Sequence, residues 1–151
     1  MNYEGKVVFN AEQAVVWEFL LDVDQFAACM PGVGKVTKMD EHTFDGSMKA
    51  SVGPISAEFD FRARIVESVS PKQLRARVEG TDTLAKSTVT SEIRMTLAAI
   101  EPHQTELTYK AMVDIKGRLA IIGEMVLRPT GAQLIRAFFN RIREKVESST
   151  V

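Results

Sequence analysis

Few residues in this sequence are equipped for chemistry, and their spacing argues against a catalytic centre. His42 and His103 sit among turn-forming residues, Asp40-Glu41-His42 and Pro102-His103-Gln104, where a solvated imidazole is expected. Neither has a second His or Cys at ligand spacing, so no zinc site is predicted. The single cysteine, Cys29, precedes Met30-Pro31-Gly32 without an adjacent histidine or basic residue, and reads as a small buried side chain. Gly32, Gly53 and Gly117 lack the spacing of a phosphate loop and read as turn glycines. What remains is an apolar set at alternating positions: Met48, Phe59, Phe61, Val78, Ile93, Met95 and Leu97, with Ser91 and Tyr109 as its polar members. The methionines make adaptable walls, and Gly46, Ala50, Ala57, Ala63, Ala76, Ala111 and Gly123 leave volume unfilled. The chemistry such a set offers is retention of an apolar molecule, with Tyr109 or Ser91 orienting one carbonyl by a hydrogen bond.

Several elements must position these side chains. Lys6-Val7-Val8-Phe9 reads as a short strand. Asn10 and Gln13 then have the spacing of a capping box ahead of the apolar helix Ala14–Leu21. A second short helix through Asp24–Ala28 ends at Met30-Pro31-Gly32. From Val33 to about Lys116 the period falls to two, as in Ile55, Ala57, Phe59, Phe61, Ala63 and Ile65 against Ser56, Glu58, Asp60, Arg62 and Arg64. Such alternation predicts antiparallel strands with one dry and one wet face. Past Gly117 the helical period returns, with an apolar stripe at Leu119, Ile122, Val126, Leu134, Phe138 and Ile142. Pro129 is expected to kink or break that helix. The predicted fold is α+β: a seven-stranded curved antiparallel sheet around a long C-terminal helix, with two short helices after the first strand.

Composition narrows the function classes. With 45% hydrophobic and 26% charged residues, the 151 residues read as one globular domain, 1–151. A formal net charge of −1 gives no field to attract nucleic acid. Met1–Lys6 has no apolar core of a secretory signal, and no run approaches the roughly 18 apolar residues of a membrane span. A cytoplasmic location is predicted, at most peripheral at the inner face of the membrane. Arg128, Arg136, Arg141, Arg143 and Lys145, against Glu144, read as a solvated cationic helix face; exposure of Ile135 or Phe139 beside them would let it dock an acidic membrane or a partner.

Certain segments carry a resemblance. They are Val16-Trp17-Glu18-Phe19-Leu20-Leu21-Asp22, Cys29-Met30-Pro31-Gly32-Val33, Val52-Gly53-Pro54-Ile55, Thr108-Tyr109, Ile115-Lys116-Gly117-Arg118-Leu119-Ala120, Gly123 and Phe138-Phe139. In order and spacing the chain resembles the helix-grip (START, Bet v 1-like; SRPBCC) superfamily and, more narrowly, the CoxG family associated with carbon monoxide dehydrogenase. The resemblance implies a non-enzymatic accessory protein of a molybdenum hydroxylase, without a cofactor of its own. It also implies an apolar ligand, quinone-like or lipid, and a part in bringing the hydroxylase to the membrane. Longer members carry a C-terminal extension that contacts the membrane; this chain ends at Val151, so its own contact is expected to be peripheral. The expected ligand-binding residues are Met48, Phe59, Phe61, Val78, Ser91, Ile93, Met95, Leu97 and Tyr109 on the strands, with Ile122, Val126 and Phe138 on the C-terminal helix. The alternative is a helix-grip enzyme of the cyclase or dehydratase type, which needs an inward acid or base. A docking protein with a solid interior is a third reading.

Overall fold

The computed structural model describes residues 1–148 apart from 83 and 85. Strand β1 (Asn2–Phe9) is followed by α1 (Gln13–Leu21) and α2 (Val23–Cys29). Six strands follow: β2 (Val33–Asp40), β3 (Thr43–Val52), β4 (Ile55–Val69), β5 (Gln73–Asp82), β6 (Ser87–Glu101) and β7 (Gln104–Gly117). The chain then runs through α3 (Arg118–Ile122) into α4 (Glu124–Ser148). Among the described residues the strands form one antiparallel sheet in the order β1-β7-β6-β5-β4-β3-β2. Strands β2 to β7 are a meander, because each short turn can only return the chain alongside itself. The alternation puts Phe61, Ala63 and Ile65 on the face that meets α4, and Arg62 and Arg64 on the solvated face.

Two expectations about helix ends are corrected. Asn10 does not cap α1; its backbone N–H donates to Glu147 Oε1 and its side chain accepts from Gln104. Gln13 opens the helix instead, and its amide donates to the carbonyls of Pro71 (3.1 Å) and Leu97 (3.3 Å). The capping-box residues thus tie α1 to two hairpins. The C-terminal helix is interrupted at Gly123, not at Pro129. Gly123 has φ +87°, a left-handed conformation that ends α3 without a side-chain clash. Pro129 stays inside α4, where its missing N–H deprives only the carbonyl of Met125, a residue 92% exposed and therefore within reach of water.

Apolar side chains gather at two places along α4. Phe9, Val16, Leu107, Ile142 and Val146 form a close-packed end under α1. Val52, Ala57, Leu119 and Leu127, with Phe59 and Ile122 against them, close the other end. Tyr3 fastens β1 to α4: its hydroxyl lies within reach of the carbonyls of Leu127 (3.4 Å) and Arg128 (3.2 Å). Gly131 makes room, since a Cβ there would stand 2.3 Å from that hydroxyl. Gly131→Ala is therefore expected to lower stability in the natural sequence, although alanine is the better helix former by about 1 kcal/mol. In a Tyr3→Ala background the same change should raise it. A double-mutant cycle followed by urea unfolding checks the inversion of sign; two effects of the same sign would refute the clasp.

Candidate functional site

Between the two packed ends lies a cavity of about 320 Å³. Its floor is the dry face of the sheet, and every second residue contributes: Phe61, Ala63 and Ile65; Leu74, Ala76 and Val78; Ser91, Ile93 and Met95; Tyr109 and Ala111. The register explains why it is hollow. Ile65, Ala76, Ile93 and Ala111 stand opposite one another across β4 to β7, alternating large and small. The alanines leave the centre of the row unfilled. Helix α4 roofs the space with Ile135, Phe138 and Phe139, and α2 adds Phe26, Ala27 and Met30. Phe26 meets Phe138 edge-on at 4.9 Å, and Phe139 lies 5.2 Å from Phe138. Leu21, 41% exposed, stands at the rim.

Two walls depend on glycine partners. Phe61 lies over Gly46, where a Cβ would come within 2.7 Å of the ring. Tyr109 lies over Gly5 in the same way, its hydroxyl 2.7 Å from the place a Cβ would take. The Tyr109 ring is held 4.9 Å from Phe139, so its hydroxyl is presented at the β1 side of the cavity. It makes no hydrogen bond to another described residue. Ser91 and Tyr109 are the polar side chains of the wall; Arg64 borders it only from the outward position that pairs with Arg77.

Eight of the expected ligand residues meet here: Met48, Phe61, Val78, Ser91, Ile93, Met95, Tyr109 and Phe138. Four lie elsewhere. Phe59 faces inward but one step nearer the β3–β4 turn, where it packs with Ile122 against the closing cluster. Leu97 is beneath α1 in the other packed end. Val126 is 37% exposed on the outer side of α4, beside Gly53. The phase of the C-terminal stripe is the cause of the Ile122 and Val126 misplacement. Reading the stripe through Gly123 carries the α3 phase into α4, whereas the break resets it. The inward residues of α4 are Leu127, Ile135, Phe138, Phe139, Ile142 and Val146, with Leu134 left half-buried at the flank. Phe139 is thus buried and Ile135 turned to the cavity, so neither gives the cationic face of α4 an exposed apolar edge. The α2 contribution was readable in principle from Phe26, Ala27 and Met30 at helical spacing.

The other chemistry-bearing residues lie away from the cavity. Cys29 is 1% exposed, and burial pushes its thiol up more than Lys145 and Arg141 pull it down, so it is held protonated. His103 faces Glu12 across 3.4 Å on the surface, and the backbone N–H of His42 donates to Asp40 in a turn. No group of three or more His, Cys, Asp or Glu among the described residues could hold a metal ion. No helix of the described residues is long and apolar enough to cross a membrane.

Comparison with known proteins adds the following. Residues 5–147 match the family model for the carbon monoxide dehydrogenase protein CoxG. No curated protein matches the sequence. Among solved structures, a conserved protein from Geobacillus kaustophilus superposes with a TM-score of 0.91 at 21% identity, covering 99% of this chain and 97% of that one. A START superfamily protein from Mycobacterium smegmatis gives 0.74 at 13% identity, covering 97% of each chain. The Zhui aromatase/cyclase from Streptomyces sp. R1128 gives 0.71 at 16% identity, covering 100% of this chain and 96% of that one. At these identities the structural matches establish the fold, a START-like helix grip.

Proposed function

Because the chain belongs to the CoxG family of carbon monoxide dehydrogenase proteins, we propose that it is a non-catalytic accessory protein that carries an apolar molecule for a molybdenum hydroxylase. The observation that supports this reading is the cavity, walled by apolar side chains with Ser91 and Tyr109 as its polar members. No carboxylate, histidine, lysine or cysteine lines it among the described residues, so the inward acid or base that a cyclase or dehydratase needs has no candidate there. At about 320 Å³ the space is near the lower end of ligand pockets, roughly 300–1,000 Å³. It suits a ring-sized head group with its tail led past the rim, as in a quinone-like molecule or a lipid. Met48, Phe61, Val78, Ile93, Met95 and Phe138 supply the contact surface, and the protein works in the cytoplasm, touching the membrane only at its surface.

Native mass spectrometry and solvent extraction of the purified protein test the reading. A co-purifying quinone or lipid near one per chain is expected; a bare chain that also fails to take up added quinone would overturn it. Tyr109→Phe should weaken binding of a carbonyl-bearing naphthoquinone by about two- to tenfold, the worth of one hydrogen bond. The affinity for the corresponding hydrocarbon should not move. Equal affinity of both proteins for the quinone rejects the orienting role of the Tyr109 hydroxyl.

A further inference from the structure

We propose that the solvated face of strands β4 to β7 is a docking surface for the acidic face of a partner protein. This concerns the side of the sheet opposite the cavity and stands whether or not the cavity is filled. The register sets Arg75, Arg94 and Lys110 directly opposite one another on three adjacent strands, and Arg64 opposite Arg77 on the same face. With strands about 4.8 Å apart, three cations fall within roughly 10 Å. Like charges directly opposed across a ladder weaken a sheet, so the folded state gains nothing from this arrangement. Three carboxylates offset part of it: Glu67 at 3.3 Å from Arg75, Glu92 on Arg77, and Glu4 at 3.9 Å from Lys110. Arg64 and Arg94 have no carboxylate within 4 Å among the described residues. Arg94 is the middle of the row, flanked on both sides by cations.

The surroundings favour a protein over other anionic partners. A register shift between Ile65 and Glu67 turns Val66 outward, where it is 58% exposed, and Met112 is 60% exposed on β7. With Arg75, Arg77, Arg94 and Lys110 they line a shallow depression in the sheet face. Arginine and methionine beside small apolar patches are the composition of a protein interface. Glu67 and Glu92, interleaved with the arginines, would repel a continuous phosphate track. No apolar wedge projects from the face to enter a bilayer.

The test uses the whole chain, an oligoglutamate peptide as probe, and amide chemical shifts as readout. Titration should move the amides of Arg75, Arg77, Arg94 and Lys110, and binding should weaken about tenfold or more in an Arg64→Gln/Arg94→Gln double variant. It should weaken likewise on raising salt to about 0.3 M. The same variant, relieved of opposed charges, should melt about 1–4 °C higher. Absence of shifts at these amides overturns the proposal, as does a fall in melting temperature. Tighter binding of a DNA duplex or of phosphatidylglycerol vesicles through the same amides also overturns it, because the face would then serve a different anion.

Discussion

Ala76→Phe is expected to abolish uptake of a ring-sized apolar ligand while leaving the protein folded. Ala76 lies between Ile65 and Ile93 in the transverse row that forms the cavity floor, and a ring there occupies the hollow itself. A misfit of one methylene in an apolar pocket is worth about 1–3 kcal/mol. A phenyl ring exceeds that several times, so affinity should fall by roughly a hundredfold or more. Stability should barely change, because overpacking costs its usual ~1–3 kcal/mol only where the space is already filled. Displacement of a bound fluorescent fatty acid, read beside a thermal melt, separates the two effects. Undiminished affinity in a variant that melts normally would show that ligand binds elsewhere.

Phe139→Ala should have the opposite signature, a large loss of stability. Phe139 is 5% exposed and sits at the junction of Phe9 (6.5 Å), Tyr109 (4.9 Å) and Phe138 (5.2 Å). It joins the packed end under α1 to the cavity wall, so its removal opens a void that neither neighbour can collapse into without losing its own contacts. Truncating a buried phenylalanine costs about 3–5 kcal/mol. Against a total of roughly 5–15 kcal/mol, that is enough to lower the melting temperature by about 6–20 °C. Urea unfolding measures it directly. A cost below about 1 kcal/mol would mean that the roof of the cavity is loosely packed.

The sheet and its dry face were legible because a period of two is a strong signal, carried for example by Phe61, Ala63 and Ile65 against Arg62 and Arg64. The alanines that hollow the floor could be picked out for the same reason. Which inward residues reach the cavity was less legible. Phe59 and Leu97 have the correct parity, yet depth along the strand, set by α3 and α1, puts them in solid packing. Parity says which face a side chain takes; it does not say what covers that face. The helix phase failed at Gly123 because a glycine with positive φ looks, in sequence, like any other small residue of an apolar stripe. The capping box failed because Asn10 and Gln13 found better partners in hairpins distant in sequence.

The two aromatic walls that lie flat on Gly5 and Gly46 have a consequence for how such a protein diversifies. Both glycines belong to the sheet and stand under a ring, so the occupant never meets them. A methyl group at either would tilt its ring up into the interior, while the ladder of main-chain hydrogen bonds beneath could remain as it is. Capacity is thereby uncoupled from architecture. Two positions act as a gauge that can be reset to admit a larger or smaller guest without rewriting the scaffold that holds it.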